Sequence, residues 1–147
     1  MRFERKDLDQ AEAFYKQAIE ADPKHANILG DYAQLLLATG KKKEGLEKLR
    51  EGTSLHAGQK ENDLSTELAF CWYAHGPAKE RPEWLGRLKT MLKDGVRSKG
   101  WNLTSNVERA IDNGHPAKNW LGKLATVIAN DAKITSLNEW KAWKDAE

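Results

Sequence analysis

The chain has 147 residues, 39% hydrophobic and 31% charged, with 24 basic and 22 acidic residues for a net charge of +2. That length suits one domain; the composition excludes a disordered chain, and the near balance of charge gives no strong pull toward nucleic acid or an anionic membrane. The one cysteine, Cys71, excludes an intrachain disulfide, no stretch nears the ~18 apolar residues of a membrane span, and the charged N-terminus lacks the apolar run of a secretory signal, so a cytoplasmic location is expected.

Apolar residues spaced by three and four predict helices along the whole chain, punctuated by proline and glycine. The first runs from about Asp7 to Ala21, with Ala11, Phe14, Tyr15, Ala18 and Ile19 on one stripe, and Asp9 with Glu12 reads as a capping box. The second, about Ala26 to Ala38, turns Leu29, Tyr32, Ala33, Leu36 and Leu37 inward and stops at Gly40. A third covers about Lys42 to Leu55, and a fourth about Asn62 to Ala74, closed by Gly76. A fifth begins near Pro82, a favourable first-turn residue. Beyond it, Ser105 with Glu108 and Ser136 with Glu139 read as further capping boxes, and Pro116 opens a segment carrying Trp120, Leu121, Leu124, Val127 and Ile128. No alternating strand pattern is present. Leu29, Tyr32, Leu36, Leu49, Leu68, Trp72, Leu88, Leu124 and Ile128 are the expected core.

An internal repeat runs through the first third. Ala11 and Gly45, Tyr15 and Leu49, and Ala18 and Gly52 are each separated by 34 residues. Ala11, Tyr15, Ala18 and Pro23, followed by Leu29, Tyr32, Ala33, Leu36 and Gly40, resemble the small, large, small and proline pattern of the tetratricopeptide repeat family. The resemblance is clearest over residues 7–55. It implies an all-α, right-handed stack of antiparallel helix pairs: a half repeat at 7–25, a full repeat at 26–57 and a degenerate one at 62–95. In the last, Ala57 stands where proline is expected, two residues are inserted between Gly40 and Gly76, and Arg81, Leu85 and Leu88 replace the small-residue signature. Residues 1–98 then form the repeats and residues 99–147 a C-terminal helical capping segment. The first helix lacks a mate within the six residues before it, so its apolar face is expected to meet another chain or a preceding part of a longer array.

The family resemblance also implies a concave groove lined by the first helix of each unit. Carried over residue by residue, it comprises Asn27, Gly30, Asp31, Gln34, Leu37, Asp63, Thr66, Glu67, Phe70 and Tyr73. Amides there can pair with a peptide backbone, while the bland alternative for Phe70 and Tyr73 is core beneath the tail. Acids stand where some relatives carry the lysine and arginine that grip a chaperone's C-terminal carboxylate, so that ligand is excluded and a basic or neutral protein partner is expected.

No residue set resembles a catalytic, cofactor or metal site. Cys71 and His75 share a helix face, but Cys71 between Phe70 and Trp72 reads as a small buried residue. His25 and His56 fall at turns, and His115 before Pro116 reads as structural. Lys41, Lys42 and Lys43 form a solvent-facing turn diluted by Glu44 and Glu47, and Trp72, Trp84, Trp120 and Trp140 lie on apolar faces rather than in a basic groove, which argues against nucleic acid. The resemblance therefore implies a non-catalytic scaffold or adaptor that holds a peptide or helix. The alternative is an architectural or self-associating end of a longer array.

Overall fold

The computed structural model describes residues 5–130 and 132–146, with side chains from Asp7 onward. It holds α1 (Arg5–Ala21), α2 (Ala26–Ala38), α3 (Lys42–His56), α4 (Asp63–His75), α5 (Arg81–Lys93), α6 (Thr104–Asp112), α7 (Leu121–Asn130) and α8 (Lys141–Asp145), with short 3-10 turns at Ala78–Glu80 and Ile134–Leu137. No strand occurs among the described residues.

The small residues of the repeat set the closest helix contact. A Cβ built on Gly45 would lie 2.8 Å from Leu37 Cγ, and one on Gly52 would lie 3.4 Å from the backbone nitrogen of Gly30. Gly45 thus meets the end of α2 and Gly52 its beginning, so the two helices run antiparallel at a separation that side chains would prevent. Between them Leu49, Leu37 and Ala33 are buried, continuous with Leu64, Leu68, Cys71 and Trp72 of α4. The turn between α2 and α3 is closed by Gly40 at φ +90, with the Gly40 amide on Leu37 O and the Lys41 amide on Leu36 O.

The neighbouring contacts on either side are made by aromatic rings. Tyr15 of α1 stacks on Tyr32 of α2 with centroids 5.5 Å apart, beside Leu8, Ala11 and Ile19. At α4 and α5, where the small-residue signature is gone, Trp72 and Trp84 stack at 5.6 Å between Arg50 and Arg87. Trp72 also donates its indole N–H to Thr53 of α3. A second core joins α4 and α5 to everything downstream: Phe70, Tyr73, Leu85 and Leu88 pack with Leu103, Leu121, Leu124, Ile128, Leu137, Trp140 and Trp143, so apolar packing crosses residue 98 without a break. All nine expected core residues are buried.

The chain ends of several helices differ from expectation. α1 is already helical at Arg5, so Asp9 lies inside the helix and Glu12 pairs with Lys41 instead of capping. α6 begins at Thr104, which puts Ser105 within it, and the first free amide is taken by Asn102. Ser136 sits in the 3-10 turn and donates to Lys133 O, while the last helix starts only at Lys141. Pro116 opens a turn, with α7 starting at Leu121. A capping box does form at Asn62 and Ser65, the N-terminus of α4.

Gly45→Ala is expected to destabilise the fold by about 1–2 kcal/mol, because overpacking against Leu37 outweighs the helix-propensity gain of about 1 kcal/mol. Gly122→Ala, whose Cβ would meet nothing within 4 Å, is expected to be neutral or stabilising by up to about 1 kcal/mol. Denaturant unfolding of both variants checks the pair.

Candidate partner-binding surface

The groove residues separate into three groups. Asn27, Asp31 and Asp63 are exposed. Gln34 and Glu67 are half-buried and bonded to each other, with Gln34 Nε2 donating to Glu67 Oε1 at 2.9 Å. Gly30, Leu37, Thr66, Phe70 and Tyr73 are buried and offer nothing to a partner in this arrangement. The reasons differ. Leu37 points at α3, Gly30 lies under Leu64 and Leu68, and the Thr66 hydroxyl donates to Asp63 O within its own helix. Phe70 and Tyr73 are covered from outside by the C-terminal segment: Trp101 stands edge-on to Phe70, and His115 and Trp140 stand edge-on to Tyr73.

That segment, with Ser98 just before it, fills much of the groove by specific bonds. Trp101 Nε1 donates to Gln34 Oε1 at 2.8 Å, and Ser98 Oγ donates to Glu67 Oε2 at 2.7 Å. Asn106 reaches Gln34 O through Nδ2 and accepts from His75 Nε2 at 2.9 Å. Arg109 Nε donates to Ala38 O at the end of α2. These partners engage both polar atoms of the Gln34 amide and both carboxylate oxygens of Glu67. The role of Trp101 was not legible in the sequence; its one local sign is a tryptophan beside Gly100, outside any helical stripe.

What stays open is a cleft of about 330 Å³ between α1, α2 and the start of α6. Ala11 and Tyr15 form one wall, Asp31, Gln34, Leu35 and Ala38 the floor, and Asn102, Ser105 and Asn106 the other wall. Asp31 sits at this cleft, and among the described residues no hydrogen bond or ion pair reaches its carboxylate. Desolvation, and then the charge of Asp63, raise its pKa above the usual carboxylate range, against a lowering pull from His25. Glu67 is also raised, by burial first and then by Asp31 and Asp63, with its bonds to Ser98 and Gln34 opposing. Tyr15 is raised by burial and by Asp31. The open part of the concave face is therefore a partly desolvated acidic ridge beside an apolar wall.

The residues considered for chemistry have structural surroundings. Cys71 is buried and its thiol pKa is raised by desolvation. His75 bonds Asn106, and His115 donates from Nε2 to Tyr73 O while its Nδ1 accepts from the Ala117 amide. His25 caps α2 through the Ile28 amide, and His56 ties α3 to Ser65 of α4. Trp72 and Trp140 are buried, and Trp84 and Trp120 pack against the core. Among the described residues no group of three or more His, Cys, Asp and Glu side chains is placed to hold a metal, and no helix is long and apolar enough to cross a membrane.

Residues 2–61 match the tetratricopeptide repeat family model. No curated protein and no solved structure matches the chain.

The junction between repeats and tail is expected to be acid-sensitive. Burial pushes His75 from 6.5 down to about 4, and His115 is also lowered by burial. The unfolded chain then binds more protons than the folded one between those values, so stability falls as the pH is lowered through that window. Asp31 and Glu67, raised in the fold, act in the opposite sense below about pH 5. The unfolding temperature is therefore expected to drop most steeply between about pH 6.5 and 5, and His75→Gln to reduce that slope by roughly half. A series of thermal melts against pH measures both.

Proposed function

We propose that this chain, whose residues 2–61 are tetratricopeptide repeat sequence, is a non-catalytic protein–protein interaction module that holds its partner on the open part of its concave face. The repeat supports the interaction role in general. The finer reading rests on one observation: among the described residues the groove is filled by the chain's own side chains except beside α1, where the exposed carboxylate of Asp31 lies next to an apolar wall, and Asp63 at the start of α4 is exposed as well. Acids there favour a basic or neutral partner and disfavour a carboxylate ligand. Glu67 drops out of the contact surface, since Gln34 and Ser98 already occupy its two oxygens.

A second reading, self-association, has its own support in Phe14, which is 64% exposed on α1. Solution mass separates the two, because a stable dimer that Phe14→Ser renders monomeric favours self-association.

The test of the leading reading is capture from a cell extract on the immobilised chain, beside a column carrying Asp31→Lys with Asp63→Asn. Asparagine at 63 keeps the acceptor that the Leu64 amide uses at the start of α4. Proteins retained by the first column and lost from the second, at least about tenfold, are the expected result, with retention weakening as salt rises. Equal retention on both columns places binding elsewhere and overturns the groove reading.

A further inference from the structure

A cavity of about 260 Å³ opens where α3, α4 and α5 meet, and none of the groove residues lines it. Leu68 and Ala69 of α4 and Met91 of α5, all buried, give it an apolar floor beside Trp84. Its exposed rim includes Ala57, Gly58 and Glu61 of the connection 57–62. That connection is two residues longer than the connection 22–25 one repeat earlier.

The side chains differ from the repeat as well. Lys48, Glu51 and Leu55 stand 36 residues before Trp84, Arg87 and Met91, and they line a cleft of their own. There Lys48 and Glu51 pair with each other at 3.2 Å. At α5 a tryptophan and an arginine replace that ion pair, so the cavity is built where the chain departs from its own pattern.

One polar atom beside the cavity lacks a partner. Trp72 donates its indole N–H to Thr53, and Trp101 donates to Gln34. The Trp84 N–H is buried with no acceptor among the described residues. A buried N–H without an acceptor is destabilising, and folded proteins satisfy nearly all of them. The guanidinium of Arg87 lies over the same ring, 4.6 Å from its centroid. Arg87 is held by Glu83 in an ion pair that is exposed on both sides, which makes it weak and easily exchanged. Glu61 is the acid on the rim, and it is exposed to water.

We propose that this cavity is a binding site for a small carboxylic acid with an apolar body of one ring. The body lies on Leu68, Ala69 and Met91. One carboxylate oxygen accepts the Trp84 N–H, and Arg87 closes on the charge. Because the N–H is closed to solvent, entry requires the exposed Arg87 arm over the ring to move. The volume sets the size, since it lies below the roughly 300 Å³ at which pockets begin to take drug-sized ligands. The proposal does not rest on the interaction reading above.

The test uses the intact protein labelled with nitrogen-15, whose six tryptophans each give an indole N–H signal. The Trp84 signal is identified by its loss in Trp84→Phe and by its through-space contact with the Trp72 ring. Phenylacetate is expected to move it saturably, with a Kd on the order of 1 mM for so small a ligand. Phenylacetamide, its neutral counterpart, is expected to bind about three- to tenfold more weakly, and phenethylamine, a cation, to cause no shift. Arg87→Gln is expected to weaken phenylacetate at least about fivefold and Glu61→Gln to tighten it about twofold, most clearly at low salt. Both side chains are exposed, and unchanged signals from the other tryptophans check that the fold is kept. Absence of a saturable shift up to about 20 mM overturns the proposal, as does equal binding of acid, amide and amine. Binding that Arg87→Gln leaves undiminished also overturns it. So does a Trp84 N–H that exchanges magnetisation with water and ignores all three probes, since a water then supplies the acceptor.

Discussion

The close approach of α2 and α3 at Gly45 and Gly52 is the constraint on which the rest of the chain is arranged. Two helices whose axes come that near must run in one register, because the residues facing the contact have no room to shift. That register turns Leu37 and Leu29 inward and leaves Asn27 and Asp31 outward. It also presents Tyr32, Leu35 and Leu36 to α1 and receives Leu64 and Leu68 of α4 on the other side. A pair of glycines thus decides which polar residues reach the concave face.

Where that small-residue device ends, aromatic stacking and hydrogen bonds replace it. Trp72 and Trp84 bridge α4 and α5 across a spacing that Arg81, Leu85 and Leu88 could not close as small residues do. The tail then returns across the stack. Trp101, Ser98 and Asn106 satisfy Gln34, Glu67 and His75, which would otherwise be polar groups on a half-buried face. Because Leu103, Ala110 and Leu121 share one core with Phe70 and Tyr73, this cover packs as one body with α4 and α5. The consequence for function is geometric: most of the groove implied by the repeat is interior, and the accessible remainder lies beside α1.

The acidic ridge follows from the same geometry. Burial raises the Glu67 pKa most, and Asp31 and Asp63 stand close enough to add to it. Glu67 is compensated by two hydrogen bonds, whereas Asp31 is not among the described residues. Carboxylates gathered in this way concentrate negative potential on that face, most where water is already excluded.

The helices, their order and their buried stripes were determined by the sequence itself, because periodicity of apolar residues and a 34-residue recurrence of small ones are local and additive signals. α2 falls at Ala26–Ala38 as its pattern predicts, and Leu29, Leu36, Leu49 and Ile128 are interior because each lies on a continuous apolar stripe. Helix starts read from capping pairs were less secure. Asp9, Ser105 and Ser136 have the right neighbours in sequence, but α1 is already helical before Asp9, and the Asn102 turn and the Lys133 turn take the places of the other two caps. Only the tertiary structure decided which groove residues remain available. Asp31 and Phe70 belong to the same implied surface, and the sequence offers a buried place for Phe70 only as an alternative. They differ because Trp101 returns from 31 residues further along to cover Phe70, while no described element covers Asp31. Burial of a groove is a property of what comes back to it across the fold, and a one-dimensional pattern carries no record of that return.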